Sequence, residues 1–203
     1  MPRLALIAVV LCCSASLLSS CGNSRTPVPN LAQPAQPSAF RTLHYSGSSV
    51  QQGVRRTWSI QFGAPSNWLV VPRRPPVVTV VSSGNAVVAL WRYGRSAPTP
   101  VGADAYGQAR RELTRAARRR DPSIQLISAE NVQVAGDQGI ELDAIEAIGG
   151  QRRRVRSTHL WVDGAEVVLD EYAPPAAFHS VDHSVFSPLK QSLRLSVTSP
   201  TSG

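Results

Sequence analysis

Between residues 131 and 173 the chain turns back on itself at short, glycine-marked intervals. Asn131 to Ala135 leads through Gly136-Asp137 into the apolar run Ile140 to Ala147. Gly149-Gly150 divides that run from Arg153 to Val162, and Asp163-Gly164 divides Trp161-Val162 from Val167-Val168. Asp-Gly between β-branched runs is the strongest hairpin signal in the chain, because a tight turn that matches strand twist needs residues tolerant of positive φ. Turns this short leave no room for the crossover that parallel strands require. The spacing therefore predicts an antiparallel meander ending at Pro174-Pro175.

The first half of the body reads as further strands and one helix. Trp58, Ile60 and Phe62 alternate on one face of a half-buried strand, Thr57 to Phe62. Ala64 to Trp68 is a turn that delivers Trp68. Val77–Val81 and Ala86–Trp91 flank Ser82-Ser83-Gly84-Asn85 as a second hairpin. From Asp104 to Arg120, Ala105, Ala109, Leu113 and Ala116 recur at helical spacing; Asp104 is placed to cap the helix and Asp121-Pro122 to stop it. Ile124–Ile127 is a short apolar strand. The last element runs from Asp182 to Leu193, with Val185, Leu189 and Leu193 on one face and Pro188 tolerable only near a first turn. The expected class is α+β, an antiparallel sheet flanked by helices.

The front of the chain differs. Residues 1–20 begin Met1-Pro2-Arg3 and continue as an apolar run of signal-peptide length. Leu18-Ser19-Ser20-Cys21 resembles the bacterial lipobox. That resemblance implies acylation of the Cys21 thiol by a diacylglyceryl group, with further fatty acid such as palmitate, and cleavage before it. Two acyl chains at one residue suffice for stable anchoring. The expected location is the extracytoplasmic side of the cell membrane. Cys12 and Cys13 would leave with the signal, so no disulfide or cysteine nucleophile would remain. Residues 21–39, rich in Pro, Ser and Gln, are expected to be the lipidated Cys and a disordered tether. Residues 40–197 are expected to form one α+β domain, and 198–203 a flexible tail.

Ser157-Thr158-His159-Leu160-Trp161, Gly164, Val167 to Ala173, Phe178, Val185-Phe186 and Leu189 to Leu193 together resemble the C-terminal half of the PsbP-like family. That family includes the LpqN-like lipoproteins of actinobacteria. The strand, turn-Trp, hairpin and helix of the N-terminal half follow the same order. The resemblance covers residues 54–196. It implies an α/β/α sandwich serving as a binding or accessory module without catalysis. The long Arg-rich helix and the scarcity of aromatics depart from the pattern.

Candidate chemistry is sparse. His179 and His183 would share a helix face with Asp182 between them, but the Glu of a His-Glu-x-x-His motif and a third ligand are missing. His159 reads as a hydrogen-bonded sheet residue. Glu166, Asp170 and Glu171 read as a solvated strand edge, with Asp170 and Glu171 on opposite sides. There is no nucleophile elbow and no phosphate loop, and nothing calls for a cofactor or metal. The net charge of +8 comes almost wholly from arginine, Lys190 being the only lysine. Two clusters stand out: Arg110, Arg111, Arg115, Arg118 and Arg119 on the helix, and Arg152, Arg153, Arg154 and Arg156 after Gly150. Either they form an anion-binding face or they are solvated, partly paired to Glu112, Asp121, Glu141 and Glu146.

The expected function is a non-enzymatic, membrane-anchored module that binds a protein or an anionic envelope component. Its partners are the membrane, through Cys21, and that component; nucleic acid is not among them. The alternatives are a carrier of a small hydrophobic or lipid ligand and an envelope hydrolase whose site the sequence does not reveal.

Overall fold

The computed structural model describes residues 25–51 and 53–198. The signal-like stretch and Cys21 lie outside the described residues. Among the described residues, ten strands form two antiparallel sheets. Strands β1 (Phe40–Gln51), β2 (Val54–Pro65) and β10 (Arg194–Thr198) pair in the order β1-β2-β10. The larger sheet holds β3 (Leu69–Pro72), β4 (Val77–Ser83), β5 (Ala86–Gly94), β6 (Gln125–Val134), β7 (Asp137–Ile148), β8 (Gln151–Val162) and β9 (Ala165–Ala173). Its order is β3-β4-β5-β9-β8-β7-β6, so β8 and β9 are interior.

The expected meander is β6 to β9. Each of its links is a two-residue loop with both residues at positive φ: Ala135-Gly136, Gly149-Gly150 and Asp163-Gly164. That is the turn whose twist suits antiparallel strands. The first turn falls one residue earlier than Gly136-Asp137 suggested, leaving Ala135 at φ 59. Strand β6 is also longer than expected. The register shifts between Leu126 and Ser128, so Ile127 interrupts the alternation that would otherwise join Gln125 to Val134.

Helix α1 (Gly102–Arg120) packs Tyr106 and Ala117 against Ile140, Leu142 and Trp161 on one face of the larger sheet. Asp104 does not cap it. Val101 occupies the cap without a side-chain bond, and Asp104 sits in the first turn, where its charge suits the helix dipole. On the opposite face Phe178, Val185, Phe186, Leu189 and Leu193 meet Leu90, Leu160 and Leu169. Ile60 and Phe62 of the smaller sheet join that same core.

The closing helix begins seven residues before Asp182. It runs as α2 (Pro175–Val181), a π-helical turn (Asp182–Phe186) and α3 (Ser187–Ser192). Pro175 starts it rather than merely ending the meander, its ring suiting the first helical position. The π turn, closed by Ser187 N–H to the Asp182 carbonyl, lets Pro188 enter as if at a new first turn.

Residues 25–39, read as a tether, lie along the body. Val28 packs on Trp91, Val168 and Tyr172. The Asn85 backbone N–H donates to the Ala32 carbonyl at 2.9 Å, the Ala35 N–H to Ser83 Oγ at 2.9 Å, and Asn67 Nδ2 to the Gln36 carbonyl at 2.8 Å. The segment is fixed by polar groups at intervals, which leaves no apolar period in its sequence. Among the described residues no helix is long and apolar enough to cross a membrane.

Candidate functional site

Two polar clusters are built on the interior strands β8 and β9, one on each face. Strand alternation sends Ser157, His159 and Trp161 of β8 toward α1, and Arg154, Arg156 and Thr158 toward α2 and α3. On β9, Glu166, Asp170 and Tyr172 face α1 while Glu171 faces the other layer. The register sets Ser157 opposite Asp170 and Arg156 opposite Glu171. Glu166, Asp170 and Glu171 are therefore not a solvated edge: Glu166 and Glu171 are 0% exposed and Asp170 4%. Asp170 and Glu171 do face opposite sides.

On the α1 face, Ser157 Oγ donates to Asp170 at 2.5 Å. Arg25 reaches in from the N-terminal segment. Its Nη1 lies 2.5 Å from Asp170 and 2.8 Å from Ser157 Oγ, while Nε and Nη2 bond Glu146 at 3.1 and 2.8 Å. Arg120, at the end of α1, shares that Glu146 carboxylate at 2.8 Å. The Tyr172 hydroxyl donates to the Thr26 carbonyl beside them. Burial would raise the Asp170 carboxyl, but Arg25 and the bonds from Ser157 and Arg25 outweigh it and hold Asp170 below its ordinary range.

Next to this group, His159 Nδ1 meets Glu166 Oε1 at 2.7 Å, and Arg95 Nη1 meets Glu166 Oε2 at 2.5 Å. Burial opposes ionisation of Glu166, yet His159 and Arg95 bring its carboxyl down to about 2. Arg25, Trp91, Tyr93, Leu113, Ser157, His159 and Asp170 surround a cavity of about 30 Å³, room for a water or two. A serine, a histidine and two carboxylates thus meet, but not as a nucleophile and its base. Ser157 donates to Asp170 and receives Arg25, whereas His159 is held by Glu166.

The other face joins sheet to helix. Arg156 Nε donates to Glu171 at 2.6 Å and Nη2 to Asp182 at 2.5 Å. Lys190 Nζ and Thr158 Oγ1 bond Glu141 at 2.6 and 2.9 Å. Arg154 grips Asp143 through Nε at 3.0 Å and Nη2 at 2.6 Å, and both arginines lie over the Phe178 ring. Burial dominates at Glu171 and pushes its carboxyl up to about 7 despite Arg156. His179 and His183 are exposed on the continuous helix, and Asp182 between them is turned to Arg156 and Ser187. No group of three or more His, Cys, Asp or Glu among the described residues is arranged to hold a metal.

The arginine clusters do not share one face. Arg111, Arg115, Arg118 and Arg119 are exposed along α1, and Arg110 is half-buried. Arg152 is exposed and donates to Gln125 at 2.7 Å. Arg153 is buried on the α1 side of the sheet, while Arg154 lies on the opposite side with Asp143. Of the anticipated pairings, Glu146 takes Arg120 and Glu141 lies 3.9 Å from Arg156. Glu112 accepts from Gln108, and Asp121 accepts the N–H groups of Ser123 and Ala147. Arg25 had no sequence signal, being a lone arginine in a Pro- and Ser-rich stretch.

No protein-family model matches the chain, and no curated protein matches it in sequence. Solved structures do. Cyanobacterial PsbP (CyanoP) from Synechocystis sp. PCC 6803 superposes with a TM-score of 0.53 at 14% identity, covering 82% of this chain and 99% of that one. LpqN of Mycobacterium tuberculosis, described as involved in cell envelope biogenesis, superposes with a TM-score of 0.53 at 11% identity, covering 75% of this chain and 91% of that one. With helices on both faces of an antiparallel sheet and these two neighbours, the chain has the PsbP-like α+β fold.

Proposed function

We propose that the chain is a lipoprotein anchored through Cys21, carrying a non-catalytic PsbP-like module outside the membrane to bind a protein or anionic envelope component. The observation that carries the non-catalytic half is the occupancy of the α1-face cluster. Its carboxylates and its serine are taken up by Arg25, Arg120, Arg95 and His159, and about 30 Å³ remains free. Such a site has no room for an organic substrate, since ligand pockets run to hundreds of Å³. The lipobox-like Leu18–Cys21 supports the anchor. The likeness to LpqN, described as acting in cell envelope biogenesis, supports an envelope setting.

Replacing Cys21 with Ser tests the anchor. The variant should accumulate as uncleaved precursor; mature protein still held in the membrane fraction would sink the reading. For the module, Ser157→Ala and His159→Gln should leave the cellular role intact as long as the variants stay folded. Loss of that role in a well-folded Ser157→Ala variant would instead favour an envelope hydrolase.

A further inference from the structure

We propose that the outer face of α1 is the surface by which the anchored body lies on an anionic phospholipid leaflet, and that Arg25 sets this orientation. The proposal rests on the acylation of Cys21. Arg111, Arg115, Arg118 and Arg119 project from the exposed side of the helix, with Glu112 the one carboxylate among residues 111–119. These four arginines have no ion pair among the described residues. The carboxylates of the neighbouring elements are turned elsewhere: Glu146 to Arg25 and Arg120, Asp143 to Arg154, and Asp121 to the Ser123 and Ala147 N–H groups. The ridge is thus a dense positive surface with little to neutralise it from within.

The length of the leash decides whether the ridge meets the membrane. A free tether from Cys21 to Phe40 would reach about 60 Å when extended. Arg25 shortens it. Its guanidinium is held by Glu146, Asp170 and Ser157, and it lines a cavity with Leu113, Ala116, Ala117 and Arg120 of α1. The chain therefore departs toward Cys21 beside the C-terminal half of α1, where the arginines are densest. Four residue steps separate the acylated residue from this pin, at most about 14 Å. That is comparable to the 8–10 Å over which an anionic surface attracts a charge at physiological salt. The helical layer on the other side of the sheet is held away from the bilayer by the same geometry.

The test uses acylated full-length protein in phosphatidylcholine vesicles, with or without phosphatidylglycerol. Because maturation removes Cys12 and Cys13 with the signal and acylation blocks Cys21, one introduced cysteine gives one label. Spin labels at Thr114→Cys on α1 and Ala176→Cys on α2 are relaxed by a nickel-chelating lipid headgroup. Relaxation at 114 should exceed that at 176 several-fold on phosphatidylglycerol vesicles. High salt should abolish the difference, as should combined Arg111→Gln, Arg115→Gln, Arg118→Gln and Arg119→Gln. Arg25→Ala should also abolish it with the ridge intact, while the protein still floats with the vesicles. Equal relaxation at the two sites, or the same preference on pure phosphatidylcholine, would overturn the proposal. Protein that arrives without acyl mass refutes the anchor alone. Sedimentation of that chain then decides the ridge: salt-sensitive binding to phosphatidylglycerol vesicles that falls about fivefold per arginine removed supports it, and no binding overturns it.

Discussion

Glu166 and Glu171 lie on one strand, both without solvent exposure, and their carboxyls are shifted in opposite directions. Burial works against the charge in each. At Glu166, His159 and Arg95 outweigh burial and bring the carboxyl to about 2; at Glu171, burial wins over Arg156 and the carboxyl rises to about 7. The consequence for stability has opposite signs. Unfolded, Glu171 ionises near 4.5, while folded it keeps its proton to about 7, so stability should fall as pH rises from about 4.5 to 7. Glu166 contributes stability above about 4.5 that is lost only as pH falls toward 2. Thermal melts across pH 5 to 7 should therefore decline for the native chain and flatten in Glu171→Gln; a native curve rising through that window would contradict the assignment. Arg25→Ala should cost about 3 kcal/mol in denaturant unfolding, because Asp170 is left buried without its cation. Arg25→Lys should recover only part, a point charge being unable to span Asp170 and Glu146 together. The opposite facing of Asp170 and Glu171 was legible from strand parity alone. Their burial was not, because nothing local tells an interior strand from an edge.

At the scale of elements, glycine marks the hairpins and helical spacing marks α1, and both features were legible because the physics behind them is local. The π turn before Pro188, the register shift at Ile127 and strands β1, β3 and β10 were not. Each depends on what the element packs against, as when Gly63 N–H donates to Ser192 Oγ of the closing helix. The segment 25–39 is a similar case, and Gly84 tests how it is held. Gly84 has φ 54, and a Cβ there would run into the carbonyls of Ala32 and Gln33. Gly84→Ala should destabilise by about 1–3 kcal/mol and raise hydrogen exchange at Asn85 and Ala35, whose N–H groups bond across this junction. Unchanged exchange at those amides would mean that the segment does not depend on this crossing. Ala135→Gly should act in the other direction. It relieves a left-handed non-glycine turn, and denaturant unfolding should register a gain of about 0.5 kcal/mol after the entropy glycine adds to the unfolded chain.

For the whole molecule, the charge and the topology separate two kinds of arginine that look alike in sequence. Arg25, Arg120 and Arg156 are internal and hold layers together through Glu146, Asp170, Glu171 and Asp182, while Arg154 pairs with Asp143 on the neighbouring strand. Arg111, Arg115, Arg118 and Arg119 are external, and replacing them with Gln should shift the melting temperature by no more than a degree or two, as expected for solvated surface charge. The clusters were legible as clusters. Their division was not, because neighbours along a strand alternate sides and Arg153 and Arg154 part company there. The proposed relation of the body to the membrane rests on acylation of Cys21 and on the short span between it and Arg25. The most direct measurement is the mass of the N-terminal peptide from membrane-fraction protein. The proposed anchor requires a chain beginning at Cys21 and carrying a diacylglyceryl group. An unmodified Cys21, whether in an intact precursor or in a chain cleaved elsewhere, would contradict it.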